Sequence, residues 1–495
     1  MSADVVLLLE GTYPYIRGGV SSWVHQIILG KPELKFHIVF LGGHPSFYGD
    51  MHYDIPDNVV GLDVYYLMDH DAIPNSKRPG KIQPYERWSD IQDYFHHPVE
   101  QIPKDLMQEL FLLLGDEKGI PRRDFLYSYA GWESLANTYL KFGSEHSFTH
   151  FFWTYRNLYA PLWTLANVAR KMPEAKLYHS VSTGYAGFLG AGASLLHNIP
   201  LLISEHGIYT KERKIDLAQA EWIPQSRDQL NASLVEDENY IRHMWVSFFE
   251  QLGGSTYQVA DKVISLYDGN RQRQLHDGSP PGKTFIIPNG INIPRFEPAL
   301  AEREDEIPLV AGLIGRVVSI KDIKTFIRSI MQAQARLPEL EGWVIGPFDE
   351  DPPYYEECVQ LVASLDMQDK VKFLGMQNIT DLLPKLGLNV LTSISEAQPL
   401  VLLEGLAAGV PFVATDVGSC RQIAFGDTPD DRALGLAGSI VPIASPLKTA
   451  NAICDLLSDK DTWYSYQQAG LQRVAKIYDE KLMHESYKNL YQELM

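Results

Sequence analysis

The sequence predicts an α/β chain of two doubly wound, Rossmann-like domains built on parallel sheets. Three observations carry that expectation. Short all-apolar runs recur between amphipathic stretches, the pattern of strands buried on both faces of a parallel sheet. The series restarts after a connector rich in Pro and Gly. The 495 residues, at roughly 150 per domain, leave room for two sizeable cores.

The first apolar run, 5–9, has no basic lead and no small-residue cleavage site, so it reads as a strand and not as a signal peptide. Runs at 37–41, 201–203 and 262–265 continue the first half. Residues 177–204 contain no Asp, Glu, Lys or Arg and are long enough to cross a bilayer. Gly184, Gly187, Gly190, Gly192, Asn198 and Pro200 instead divide them into a short strand, a small-residue helix and the 201–203 strand.

Residues from about 45 to 145 lack that rhythm and are rich in aromatic residues (Tyr48, Tyr53, Tyr65, Tyr66, Trp88, Tyr94, Phe95, Trp132), so they read as an insertion. A packing elaboration and a partner- or acceptor-binding role both remain open for it. FIIPNGINIPRF, with Pro288, Gly290 and Pro294, reads as a connector and places a domain boundary near 285, giving domains 1–285 and 286–474. Strand runs then resume at 309–314, 342–345, 372–374, 389–391 and 411–414. Ile477, Leu482, Tyr487, Leu490, Tyr491 and Leu494 recur at helical intervals, so 475–495 form an amphipathic helix with a face to bury.

Composition narrows the function. At 45% hydrophobic and 21% charged the chain reads as soluble and globular. Its 43 basic against 62 acidic side chains leave a net charge of −19, which repels nucleic-acid backbones. Cys358, Cys420 and Cys454 have no metal-ligand spacing and suit a reducing, cytoplasmic compartment.

Four motifs carry chemistry. Gly18 and Gly19 precede an amphipathic helix, where backbone can approach a phosphate and free N–H groups face it. Arg316 and Lys321 leave a strand end together, and a guanidinium and an ammonium at that spacing can converge on one diphosphate. Glu396 and Glu404 frame seven residues, and Glu404 sits inside the apolar run LVLLEGLAAGVP, where a carboxylate needs strong donors such as vicinal ribose hydroxyls. Asp349-Glu350-Asp351 could hold a divalent ion or be a solvated loop, while His96-His97 and the other histidines offer no helix-spaced zinc pair. Taken singly, the first three also read as a tight turn, a surface ion pair and a capping carboxylate.

Together, Gly315-Arg316 with Lys321, the Glu396/Glu404 pair, Pro288-Asn289-Gly290 and Glu205-His206-Gly207 resemble glycosyltransferase family 4, retaining enzymes of the GT-B fold. The likeness spans both halves. It implies two domains facing a central cleft, the first on the acceptor side and the second binding a nucleotide sugar, with the last helix crossing back to the first. It implies that Glu404 binds the ribose, that Arg316 and Lys321 hold the diphosphate, and that Glu396 contacts the hexose. Gly18 and Gly19 would approach the phosphate, and His206 would lie near the reacting face of the sugar. His206, Arg316, Lys321 and Glu396 thus form the expected catalytic set, with Gln398, Leu400 and Val401 completing the donor-binding loop.

The expected donor is a UDP-sugar, with no cofactor and no metal. The expected reaction is transfer of a hexose or N-acetylhexosamine to a growing exopolysaccharide, with membrane-embedded synthesis and export proteins as partners. The loop after Glu396 departs from the family's glycine-rich pattern: it reads Ala397-Gln398-Pro399-Leu400, and Pro399 has no N–H to donate. Gln398 is expected to replace part of that recognition. A UDP-sugar 2-epimerase of the same fold and a nucleotide-sugar-binding scaffold are the alternatives.

Overall fold

The computed structural model of the chain describes residues 2–68, 78–97, 100–115, 119–220 and 232–495. They divide into two compact units. The first comprises Met1–Ser265, Arg271–Ile286 and Lys488–Met495; the second comprises Leu266–Asn270 and Ile287–Tyr487.

The first unit is built on seven strands: β1 (Val5–Glu10), β2 (Phe36–Gly42), β3 (Val59–Tyr66), β4 (Leu177–Ser180), β5 (Leu201–Glu205), β6 (Lys262–Ser265) and β7 (Thr284–Ile286). They form one sheet in the order β3-β2-β1-β4-β5-β6-β7. Every pairing is parallel, with Val5 opposite Phe36 on one side of β1 and Leu177 on the other. Val5, Val6, Leu7, Leu8 and Leu9 are all fully buried, which is why β1 reads as a continuous apolar run and not as an alternation.

The second unit holds β8 (Val310–Ile314), β9 (Glu341–Ile345), β10 (Val371–Gly375), β11 (Leu388–Leu391), β12 (Phe412–Thr415) and β13 (Gly438–Val441), in the order β10-β9-β8-β11-β12-β13. These pairings are parallel as well. Apolar clusters cover the sheet, one around Phe326, Ile327 and Ile453, another around Leu402, Leu406 and Ile423. Cys358, Cys420 and Cys454 are buried and unbridged.

Three strands escaped the sequence reading. β3 lies inside the stretch taken as an insertion; VVGLDVYY is half-buried throughout and carries no clean period. β7 overlaps the start of the stretch taken as connector, and Thr284–Ile286, only three residues long, is too short to show a period. β13 begins on Gly438 and Ser439, residues of poor strand propensity.

Between β3 and β4 the described residues are mainly helical, with Gln83–His96, Lys104–Leu113, Tyr129–Phe142 and Phe148–Arg170 as the longer helices. Trp88, Phe125, Tyr155, Tyr159 and Trp163 are its aromatic core, and the Trp88 indole N–H (3.2 Å) and Gln92 amide (2.9 Å) both donate to the Tyr155 hydroxyl. Of the aromatics singled out in the sequence, Trp88 and Phe95 are buried here, while Trp132 is 52% exposed.

Residues 177–204 fold as β4, the helix Tyr185–His197 and most of β5. No helix among the described residues is long and apolar enough to cross a membrane. The last helix spans Glu480–Leu494 and buries Tyr487, Leu490 and Tyr491, whereas Leu482 faces outward.

Candidate functional site

In the second unit the strand order reverses between β8 and β11. Open parallel sheets bind ligands beyond the carboxyl ends of the strands at such a point. Two loops leave there, 315–322 and 392–399, and the chain fastens them together. Ile394 donates its N–H to the Ile320 carbonyl (2.9 Å), and the Thr392 hydroxyl donates to the carbonyls of Lys321 (2.9 Å) and Asp322 (3.0 Å). The Thr415 hydroxyl at the end of β12 donates to the Ser393 carbonyl (2.6 Å).

Glycine is required at two places around these loops. Gly346 has φ +149°, and a Cβ there would meet the Gly315 carbonyl oxygen at 2.1 Å. Gly418 has φ +53°, and a Cβ there would meet the carbonyl oxygens of Ala397 (2.2 Å) and Glu396 (2.6 Å).

This scaffold brings Lys321 and Glu396 together: the ammonium lies 2.5 Å from Glu396 Oε1, which also accepts the Ser393 hydroxyl at 2.6 Å. Arg316, in the same loop as Lys321, pairs with Glu350 of the acidic triplet at 2.5 Å. Asp351 of that triplet accepts the Tyr354 N–H (3.3 Å) and caps the helix Pro352–Ser364. Two of the three acids therefore have partners within the chain.

Glu404 lies one turn into the helix Leu400–Ala407, held against β11 by the Asn389 amide, which donates to the Val401 carbonyl (2.7 Å). Burial pushes its carboxyl above the ordinary glutamate range, and Arg295, acting through space, only partly offsets that. The helix begins on Pro399 with no side-chain cap and no acidic residue in its first turn, so the Leu400 and Val401 N–H groups stand at an uncapped positive end.

Gln398 is differently placed from what recognition of a sugar by its whole amide would need. Its carbonyl accepts the Asn289 N–H (2.8 Å), which ties the donor loop to the Pro288-Asn289-Gly290 connector. Gln398 Nε2, Asn289 Oδ1 and Ser419 Oγ remain buried and without partners. That leaves hydrogen-bonding capacity beside Glu396 that a polyhydroxylated ligand can meet.

The remaining predicted residues belong to the first unit, where the strand order reverses between β1 and β4. Gly19 opens the helix Gly19–Leu29 and Gly18 is its cap, with no side-chain hydrogen bond there. A Cβ at either glycine would meet nothing within 4 Å, so their smallness leaves open space and is not a packing requirement.

His206 follows β5 and is fixed by its neighbour. Glu205 accepts from the Thr183 hydroxyl (2.8 Å), the Tyr209 N–H (3.1 Å), the Gln274 amide (3.1 Å) and the Tyr257 hydroxyl. Trp23 packs edge-on against His206 at 4.6 Å and against His179 at 5.9 Å. Burial pushes the His206 imidazole down to about 4, so it is neutral near pH 7, and its Nε2 has no partner.

Sequence reasoning missed Glu350 as the partner of Arg316, Asn289 as the partner of Gln398, and Trp23. The acidic triplet was the one visible signal for Glu350. Nothing in GGVSSWVHQ marks Trp23 apart from an ordinary core residue.

The two doubly wound parallel sheets have the GT-B fold, and residues 308–459 match the family described as Glycosyl transferases group 1. Residues 3–282 match the family described as Domain of unknown function (DUF3492), and the chain belongs to that family.

Over 183 residues it is 27% identical to the N-acetyl-alpha-D-glucosaminyl L-malate synthase of Bacillus anthracis, covering 36% of this chain and 43% of that protein. The chain spans about half the length of the curated relatives it matches. Among solved structures, Anabaena Alr3699/HepE in complex with UDP and glucose superposes with a TM-score of 0.58 at 14% identity, covering 99% of this chain and 100% of that one. Sucrose-phosphate synthase (tll1590) from Thermosynechococcus elongatus gives 0.57 at 16% identity, with 99% of each chain covered. At these identities the likeness is one of fold.

Proposed function

We propose that the chain is a UDP-sugar-dependent glycosyltransferase that passes a hexose or N-acetylhexosamine to a growing exopolysaccharide, retaining the anomeric configuration and using no metal. One observation carries the reading: Glu404, partly buried and with its carboxyl raised by desolvation, stands on the same short helix whose uncapped start follows the Lys321–Glu396 pair. A desolvated carboxylate wants hydroxyl donors, and a ribose offers two. Arg316 and Lys321 share the loop that the Lys321–Glu396 pair ties to the segment before that helix, and two such cations suit a diphosphate.

In that reading Glu404 orients the nucleoside while Arg316 and Lys321 take up the charge that develops on the departing β-phosphate. The buried polar atoms of Gln398, Asn289 and Ser419 and the carboxylate of Glu396 belong to the sugar. The acceptor hydroxyl attacks from the face the phosphate leaves, and the leaving oxygen takes its proton, so no side-chain base is needed. His206, neutral and held by Trp23 and the Glu205 turn, positions the sugar. The choice of UDP draws on the family likeness, and HepE is a protein of this fold found with UDP and glucose.

The polysaccharide is of the Pel type in this proposal, because LLLEGTYPYIRGGVSSWVHQ and SEHGIYTKERKIDL are similar to PelF. Work at the inner face of the cytoplasmic membrane with synthesis and export proteins follows from the same likeness.

Calorimetric titration of UDP and GDP in EDTA, into wild type and Glu404→Ala, tests the donor site without an acceptor. UDP alone should bind, and the substitution should weaken it by about 10- to 100-fold, the range for hydrogen bonds to a charged group. Binding that requires a divalent ion, or that ignores the substitution, would return the acidic triplet or a scaffold role to the front.

A further inference from the structure

We propose that Glu350 is an internal competitor for the diphosphate: it occupies Arg316 in the empty site, must be displaced by the β-phosphate, and so sets how tightly nucleoside diphosphates are held. The inference rests on the donor-site reading above and gives a purpose to the acidic triplet, which that reading left unused.

Arg316 leaves β8 and Glu350 lies beyond β9, neighbouring parallel strands whose loops stay in register through the Val317 N–H to Pro347 carbonyl bond (2.9 Å). The root of the acidic loop is anchored, since Phe348 stacks on Tyr355 at 4.5 Å and 13° and Asp351 caps the next helix. Glu350 is thereby held within 2.5 Å of the guanidinium by fixed backbone on both sides.

The pair is nonetheless solvent-facing, 55% exposed at Arg316 and 50% at Glu350, so a ligand can exchange with the carboxylate without opening the core. A phosphate brings more charge and two oxygens to the guanidinium fork, and it wins the contact. Each time UDP forms, Glu350 competes to return, which loosens the hold on the β-phosphate. Asp349, one residue away, forms no ion pair among the described residues and carries the same charge, so it is an internal control.

Calorimetry of UDP and UMP in EDTA with wild type, Glu350→Gln and Asp349→Asn tests this. Removing the competitor should tighten UDP by about two- to five-fold, the scale of an exposed ion pair. UMP lacks the β-phosphate and should bind both proteins alike. Asp349→Asn should leave UDP unchanged, because an unpaired charge at the surface is screened over about 8 Å at physiological salt. Equal or weaker UDP binding by Glu350→Gln overturns the competitor role while leaving the donor site standing. Equal tightening by Asp349→Asn overturns it in favour of a general field. If wild type binds no UDP at all, the donor-site reading falls and takes the competitor role with it.

Discussion

At Glu404 burial has opposite effects on the folded unit and on its ligand. Desolvation raises the carboxyl, so the folded unit prefers the neutral form, and the resulting penalty on stability is fully present above the raised value and relieved as pH falls below it. A ribose needs the charged form, which accepts two hydroxyl donors where the acid offers poorer capacity. UDP affinity should therefore decline as pH is lowered from 7.5 through the raised value, starting at a higher pH than for an ordinary glutamate. The terminal phosphate of UDP also titrates, so the comparison is with Glu404→Gln, whose affinity is weaker at pH 7.5 and lacks this share of the pH dependence. Parallel pH profiles for the two proteins would mean that Glu404 does not touch the nucleotide.

At the scale of elements, the donor loop depends on what lies beneath it. Gly418, left-handed at φ +53°, sits under the carbonyls of Glu396 and Ala397, both backbone atoms that cannot swing aside. Gly418→Ala should cost more than about 1 kcal/mol from the left-handed conformation alone, and the clash should push the 396–397 loop outward. Melting temperature and UDP affinity are expected to fall together. Gly19→Ala meets nothing within 4 Å and should leave the melting temperature unchanged. A stable Gly418→Ala protein with normal UDP binding would detach the loop from the ligand.

The same elements show what the sequence could reveal. Buried strands such as β1 and β12 are legible because parallel pairing makes them uniformly apolar, and Glu404 is legible because a charge interrupts such a run. β3, half-buried at the sheet edge, and the three-residue β7 have neither signature. Arg316 was readable as a cation at a strand end, but its pairing with Glu350 depends on β8 lying beside β9, a tertiary fact that no local pattern records. Gln398 was readable as an unusual residue in the loop; its bond to Asn289, far back in the chain, was not.

At the scale of the whole molecule, the first unit is not a continuous stretch, because Lys488–Met495 belong to it. Tyr491 is fully buried there, its hydroxyl sharing a 2.8 Å hydrogen bond with His179 Nδ1, and the Lys31 ammonium lies 5.7 Å from its ring. His179 in turn bonds Ser204, which directly precedes the Glu205 turn that holds His206. Burial pushes His179 down to about 3 and Lys31 down to about 8, so losing this cover would expose two groups that take protons more readily in water. Deleting 488–495 should then lower the unfolding transition of the first unit by about 3–5 kcal/mol, the range for losing a buried aromatic side chain, and leave the second unit's transition in place. Tyr491→Phe, which removes the hydroxyl and keeps the ring, should cost about 0.5–1.5 kcal/mol for the hydrogen bond to His179 that it loses. Scanning calorimetry is the measurement that checks both expectations. A deletion that moved the second unit's transition instead would assign the end of the last helix to the wrong unit.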